Sequence, residues 1–151
     1  MRVSAKVDYA VRAALELAAA GDGPVKGDRI AAAQRIPLNF LENILIDMRQ
    51  AGIVCSQRGR EGGYWLAKLP EEVSVADVIR AVEGPLATVR GERAEELRYE
   101  GAAEPLQAVW VAVRANLRAV LEQTTLADIA GGSLPEPVLE LTHDPEAWLG
   151  H

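Results

Sequence analysis

Two short runs of this 151-residue sequence hold side chains of the kind that read base edges and grip phosphate. The first, residues 36–43 (IPLNFLEN), places Leu38, Asn39, Glu42 and Asn43 just after a proline. A carboxylate can accept from a cytosine amino group, and a side-chain amide can bond adenine. The second, residues 57–63 (QRGREGG), places Gln57, Arg58 and Arg60 among three glycines. Arginine suits phosphate or a narrow minor groove. Glycine permits the positive φ of a tight tip and lets backbone approach phosphate. Taken alone, the second run is equally an ordinary glycine-rich hairpin tip, and the amides of the first are equally plain helix-surface groups.

Both runs need elements to position them. Phe40, Leu41, Ile44, Leu45 and Met48 recur at helical spacing and predict one apolar face, with Asn39, Glu42, Asn43, Asp47 and Gln50 on the others. Pro37 suits the first helical position, and Gly52 suits a left-handed cap. Residues 53–57 then alternate as a strand, with 64–66 as its return. Helix, glycine turn and tight hairpin in that order form the one-dimensional pattern of a winged helix-turn-helix.

Upstream, Val3, Val7, Ala10, Val11, Ala14, Leu15 and Ala18 share a helical face, with Ser4 as N-cap and Gly21 at the end. Residues 25–34 predict a short second helix with Ile30 and Ala33 facing in and Asp28 able to cap. After the hairpin, Ser74 caps a helix with Val75, Val78, Ile79 and Val82 on one face, stopped by Gly84 and Pro85. Pro105 opens a long helix to about residue 123, in which Leu106, Trp110, Val113, Leu117 and Val120 are spaced four, three, four, three. That is a heptad-type seam. Val109, Ala112, Asn116 and Ala119 form a second flank, so the helix could face its own domain on one side and a partner on the other. A plain core helix is the alternative. A short helix over 125–130 follows.

The expected fold is mainly α with a small β-hairpin wing. It divides into a winged helix-turn-helix DNA-binding domain (1–84), an acidic loop (85–104), a dimerisation helix with a short terminal helix (105–130) and a tail (131–151). The tail is either disordered or docked on a partner through Val138, Leu139, Leu141, Trp148 and Leu149, with His143 and His151 as surface residues. A hydrophobic content of 49% supports one domain with a real core. No apolar run is of membrane length and no signal-peptide pattern is present, so a cytoplasmic protein with no membrane partner is expected. The net charge is −6, but residues 1–84 balance 11 basic against 11 acidic residues, whereas 85–151 hold 5 against 11. The acidity therefore lies outside the candidate DNA-binding part, where only a local basic face matters. No nucleophile–base pair, phosphate loop or zinc-spaced ligand set supports an enzyme.

Five motifs in order carry a resemblance: Ser4-Ala-Lys6-Val-Asp8-Tyr9-Ala-Val-Arg12; Phe40-Leu41-Glu42; Ala51-Gly52-Ile53-Val54; Arg58-Gly59-x-x-Gly62-Gly63-Tyr64; and Ala76-Asp77-Val78-Ile79-Arg80-Ala81-Val82-Glu83-Gly84. Together they resemble the Rrf-two family, bacterial winged-helix regulators of the IscR, NsrR and CymR type, from the N-terminus to about residue 128. The resemblance implies a homodimeric, sequence-specific transcriptional regulator, a repressor, bound to double-stranded DNA at an imperfect palindrome. It implies Lys6 and Tyr9 as phosphate contacts, although Tyr9 is equally a half-buried ring with a wet hydroxyl. It also implies Leu38, Asn39, Glu42 and Asn43 toward the major groove, and Gln57, Arg58 and Arg60 in the minor groove or on phosphate. Leu106, Trp110, Val113, Leu117 and Val120 would build the dimer.

The chain departs from the family's cluster-binding members in one region. Those relatives carry ligand cysteines in the loop corresponding to 86–104, and this loop has none; Glu104 stands where the last falls, and Gln107 where one branch has histidine. Asp8 matches a position that supplies an oxygen ligand in some relatives. An iron–sulfur centre needs thiolates, and the sole cysteine, Cys55, lies in the hairpin. No cluster, metal or other cofactor is expected. Glu92, Glu95, Glu96, Glu100 and Glu104 predict a solvated, mobile acidic loop. The inputs left open are a small molecule between dimerisation helix and winged domain, a protein effector, or oxidation of Cys55. A second class also stays open, a dimeric winged-helix adaptor that acts through a partner protein.

Overall fold

The computed structural model describes residues 1–151. Its first element, α1 (Ala5–Ala20), starts where the Ser4 hydroxyl accepts from the Val7 N–H at 3.1 Å. It buries Val7, Ala10, Ala13, Ala14 and Leu17. Of the predicted face, Val7, Ala10 and Ala14 are buried and Val11, Leu15 and Ala18 are half-buried at its margin, while Val3 precedes the helix and lies in solvent. Small side chains on this face let several elements pack close around α1.

Helix α2 (Gly27–Gln34) begins two residues later than the sequence pattern predicts, because Val25 is extended. Val25 and Tyr64 exchange both backbone hydrogen bonds at 2.8 Å, which adds a one-residue third strand to the hairpin. Ile30 and Ala31 face the core, and Ala33 is exposed. The inward direction falls between Ile30 and Ala31, leaving Ala33 on the far flank. Asp28 does not sit at the cap, which is Lys26; its carboxylate accepts the Arg29 N–H at 3.0 Å within the first turn.

Helix α3 (Leu38–Gln50) follows a sharp reversal at Arg35 (φ +53). Pro37 is the residue before the helix (φ −57, ψ 128), one place earlier than the sequence predicts. Leu41, Ile44, Leu45 and Met48 are buried, but Phe40 is 57% exposed. It lies at the margin of a stripe that the other four already fill. Gly52 (φ +79) ends the helix as expected. The Ile53 N–H reaches Met48 O (2.9 Å) and the Gly52 N–H reaches Arg49 O (3.0 Å), the paired bonds of a Schellman cap.

Strands β1 (Val54–Gln57) and β2 (Gly63–Leu66) pair antiparallel from Val54↔Leu66 to Gln57↔Gly63, leaving 58–62 as the tip. Helix α4 (Val75–Glu83) starts with a full capping box: Ser74 Oγ accepts the Asp77 N–H, and the Asp77 carboxylate accepts the Ser74 N–H. One core cluster joins α1, α2, α3, β1 and α4. Leu126, from α6 (Leu126–Ala130), completes it. Backbone bonds from Val75 to Thr124 O and from Leu126 to Val73 O, both 2.9 Å, seat α6 beside α4.

The segment between α4 and α5 (Leu106–Leu121) is packed, contrary to the solvated loop predicted from its glutamates. Leu86, Ala94 and Leu97 are buried. The Gln107 amide donates to Glu95 O at 3.0 Å, and Arg114 pairs with the Glu95 carboxylate. The carboxylates lie outward while interspersed apolar residues anchor the backbone. The tail is ordered as α7 (Glu136–Thr142) and a 3-10 turn at Pro145–Trp148, where the Trp148 indole donates to Thr142 O at 2.7 Å. Leu141, Trp148 and Leu149 nevertheless stay exposed. No helix is long and apolar enough to cross a membrane.

Candidate nucleic-acid interface

The buried stripe of α3 fixes which side chains it offers to solvent. Asn39, Glu42 and Asn43 are exposed with Leu38 beside them, and Asn43 Nδ2 donates to Asn39 O at 3.3 Å. That bond uses one donor of the amide and leaves its oxygen and second donor free. Ile46 and Gln50 continue the same face, and exposed Phe40 stands at its edge. The sequence pattern missed Phe40 and Ile46 as surface groups because both are apolar. The signal that could have found Ile46 is its position opposite Leu41, Ile44 and Met48 on the helical wheel.

The second candidate run forms the hairpin tip. Gln57, Arg58 and Arg60 are exposed, and neither arginine has a carboxylate partner within ion-pair distance. The tip is held from α2: Lys26 Nζ donates to Gly59 O at 2.6 Å. Glycine is required at two places. A Cβ on Gly62 would lie 2.0 Å from Gln57 O, and one on Gly63 (φ +149) would lie 2.6 Å from Val25 O. The latter contact exists because Val25 pairs with Tyr64, which the sequence reading did not foresee.

The two candidates on α1 are less free. Lys6 Nζ lies 2.8 Å from the Asp47 carboxylate and so ties α1 to α3. Tyr9 is half-buried, with the Arg12 guanidinium 4.9 Å from its ring centre. Arg12 is itself fixed by Asp8 (2.9 Å) and by Gln34 O (2.7 Å). Asp8 is therefore engaged in an ion pair within α1.

No residue of α5 is fully buried in the single chain. Leu106, Trp110, Val113, Leu117 and Val120 are half-buried, and the Trp110 indole donates to the Tyr99 hydroxyl at 3.1 Å. Val109, Ala112, Asn116 and Ala119 are exposed. The seam thus leans toward its own chain, and the flank of small residues is the open one.

The donor set does not fit an iron–sulfur group. Cys55 is the only cysteine and stands in β1, paired in register with Trp65. The segment between α4 and α5 offers carboxylates and no thiolate, and no group of three or more His, Cys, Asp or Glu is placed to hold a metal.

Comparison with known proteins gives this geometry a context. The Rrf2 family model, described as an iron-dependent transcriptional regulator, matches residues 3–132. A Mycobacterium tuberculosis (strain H37Rv) protein, Rv1287, named as a candidate HTH-type transcriptional regulator, is 53% identical over 148 residues, 97% of this chain and 92% of the relative. The HTH-type transcriptional regulator CymR of Bacillus subtilis is 35% identical over 86% of this chain and 90% of its own length. A solved structure of CymR, described as the global cysteine regulator of B. subtilis, superposes with a TM-score of 0.73 at 34% identity, covering 88% of this chain and 98% of that one. The structure of T. potens IscR covers all of this chain and 93% of its own, with a TM-score of 0.69 and 32% identity. These relatives are transcriptional regulators and not enzymes. The iron dependence in the family's description is the one feature that the thiolates of this chain do not match. The chain belongs to the Rrf2 family of winged helix-turn-helix, DNA-binding transcriptional regulators.

Proposed function

We propose that the protein is a homodimeric repressor that binds an imperfect palindrome and works without an iron–sulfur cluster. One observation carries the reading. An exposed polar helix face and a tip with two unpaired arginines project from a single core, while α5 keeps an open face of small residues. In this reading Leu38, Asn39, Glu42 and Asn43 enter the major groove. Gln57, Arg58 and Arg60 hold the minor groove or phosphate. Lys6 and Tyr9 approach the backbone, Lys6 exchanging Asp47 for phosphate. Two chains joined through α5, along Leu106, Trp110, Val113, Leu117 and Val120 and the open flank, present their helices about one turn of DNA apart, roughly 34–36 Å. The repressor sense follows from the resemblance, and the absence of a cluster follows from the missing thiolates.

The test is a pull-down of sheared genomic DNA with the purified protein at two salt concentrations, followed by sequencing. A palindromic motif enriched at both salts is the expected result. Enrichment without a motif, lost at the higher salt, would overturn sequence-specific binding. It would favour an adaptor acting through a partner protein, a reading that the exposed Leu141, Trp148 and Leu149 of an acidic tail support. Iron and sulfide assays on anaerobically purified protein check the cluster separately; stoichiometric iron and sulfide would refute that part.

A further inference from the structure

One cleft reverses the charge of its surroundings. Residues 85–151 carry only five basic residues against eleven acidic ones, yet Arg93, Arg114 and Arg118 all line the same opening. Arg80 from α4 joins them, in a cleft of about 390 Å³ between the end of α4, the segment before α5, and α5 itself. Against these guanidiniums stand few carboxylates. Glu95 pairs with Arg114. Glu122 is shared between Arg80 (2.5 Å) and Arg118 (2.9 Å), and Asp77, engaged in the α4 cap, lies 3.9 Å from Arg80. Arg93 has no carboxylate within ion-pair distance, although its charge acts on Glu95.

The frame of the cleft is fixed before any ligand arrives. The segment turns through Val89 and Glu92, which exchange backbone bonds at 3.0 Å, with Arg90 at φ +53. Arg90 lies over the Tyr99 ring at 5.9 Å, and Tyr99 accepts from Trp110 of α5. Buried Ala94 and Leu97 hold the backbone on either side of Glu95. Arginine forks converging on a preformed opening suit multiply charged oxyanions, whose carboxylate or phosphoryl oxygens accept paired N–H···O bonds. A singly charged anion would only duplicate what Glu95 and Glu122 already provide. An anion with two or more charges can span Arg93 and Arg114 and draw Arg118 or Arg80 from Glu122.

We propose that this cleft binds a small multiply charged anion, a di- or tricarboxylate or a phosphate compound, and is the effector site of the regulator. The proposal rests on the DNA-binding reading above and names the class of its signal. The link to DNA is geometric. Glu122 is the side-chain bridge from α5 to Arg80 of α4, and α4 packs on α1 and α3 in the winged unit. Competing for Arg80 and Arg118 loosens that bridge and alters how α5 carries the reading heads. Arg114 leaves α5 on the side away from Ala112 and Ala119, so a second copy on that flank does not need the Arg93–Arg114 end of the cleft.

The experiment is isothermal titration calorimetry of the full chain, without DNA, at constant ionic strength. Citrate and pyrophosphate are the probes, and acetate is the singly charged control. The expected result is saturable binding of at least one probe at one site per chain. Arg93→Gln and Arg114→Gln should each weaken it roughly tenfold, the loss of one charge-assisted pair. Lys68→Gln, an exposed charge elsewhere, should leave it unchanged. Arg93 holds no structural partner, so circular dichroism of Arg93→Gln should match the parent. No saturable heat from either probe, or heat unaltered in both arginine variants, overturns the site. Anisotropy with the recovered operator then tests regulation: the bound probe should shift DNA affinity at least about fivefold. An unchanged affinity with the cleft saturated overturns the effector role. A chain that binds the probe but no DNA keeps the site while failing the reading beneath it.

Discussion

At the scale of single residues, the wing separates recognition from construction. The Arg58 side chain is exposed and makes no ion pair within the chain, so its removal tests DNA contact with little effect on the fold. Arg58→Ala should weaken operator binding by about 1–3 kcal/mol at fixed salt, with an unchanged melting temperature. Anisotropy and a thermal melt check both halves, and equal affinity would take Arg58 out of the interface. Gly62 is the opposite case. A methyl group there meets the Gln57 carbonyl at 2.0 Å, a backbone atom that cannot swing aside. Gly62→Ala should therefore destabilise by roughly 1–3 kcal/mol and reshape the tip, lowering both the melting temperature and DNA affinity. The glycines were legible as tip residues from their spacing. The demand at Gly63 was not, because it comes from Val25, distant in sequence, whose extended backbone no local pattern announced.

At the scale of elements, the serine caps and the helical periodicity are legible in the sequence, whereas the starts of α2 and α3 and the edges of the stripes are not. Ser4 and Ser74 each accept a first-turn N–H, as short-range chemistry requires, and Thr125 does the same one place before α6, where the sequence pattern puts it inside the helix. Phe40 and Ala33 were assigned inward because a hydropathy pattern does not say when a core is already full. The segment before α5 was misread for a similar reason: its glutamates dominate the composition, while Leu86, Ala94 and Leu97 decide the packing. The α4–α5 bridge belongs to this scale. Hydrogen bonds from Arg80 first and then Arg118 hold the Glu122 carboxyl below its usual pKa. A carboxyl lowered in the folded state adds stability that is present above its unfolded pKa and lost as pH falls through the folded one. The Glu122 side chain is half-buried at 33% exposure, still open enough to solvent for screening to keep the effect small. Glu122→Gln should lower the melting temperature slightly at pH 7, and the gap should close under acid conditions. A gap that persisted or widened there would mean that the charge is not what joins the helices.

At the scale of the whole molecule, the charge distribution and the open flank of α5 make one argument. A reading domain with balanced charge has only moderate general attraction for DNA, which is why the proposed mode of binding draws on two half-sites engaged together. In the proposed dimer α5 meets a second copy. Ala112 lies on its exposed flank, and Ala112→Glu keeps a good helix former while placing a charge in the proposed interface. In the single chain this change should cost almost nothing, so circular dichroism should be unaltered. In solution it should turn a dimer into a monomer, seen by light scattering. Operator affinity should fall by roughly a hundredfold or more as the second half-site becomes a separate binding event. Affinity for an isolated half-site should stay the same, which separates lost pairing from damaged recognition. A variant that stays dimeric with full operator affinity would move the interface off this flank, toward the half-buried seam of Leu106, Trp110, Val113, Leu117 and Val120, where the family resemblance implies it.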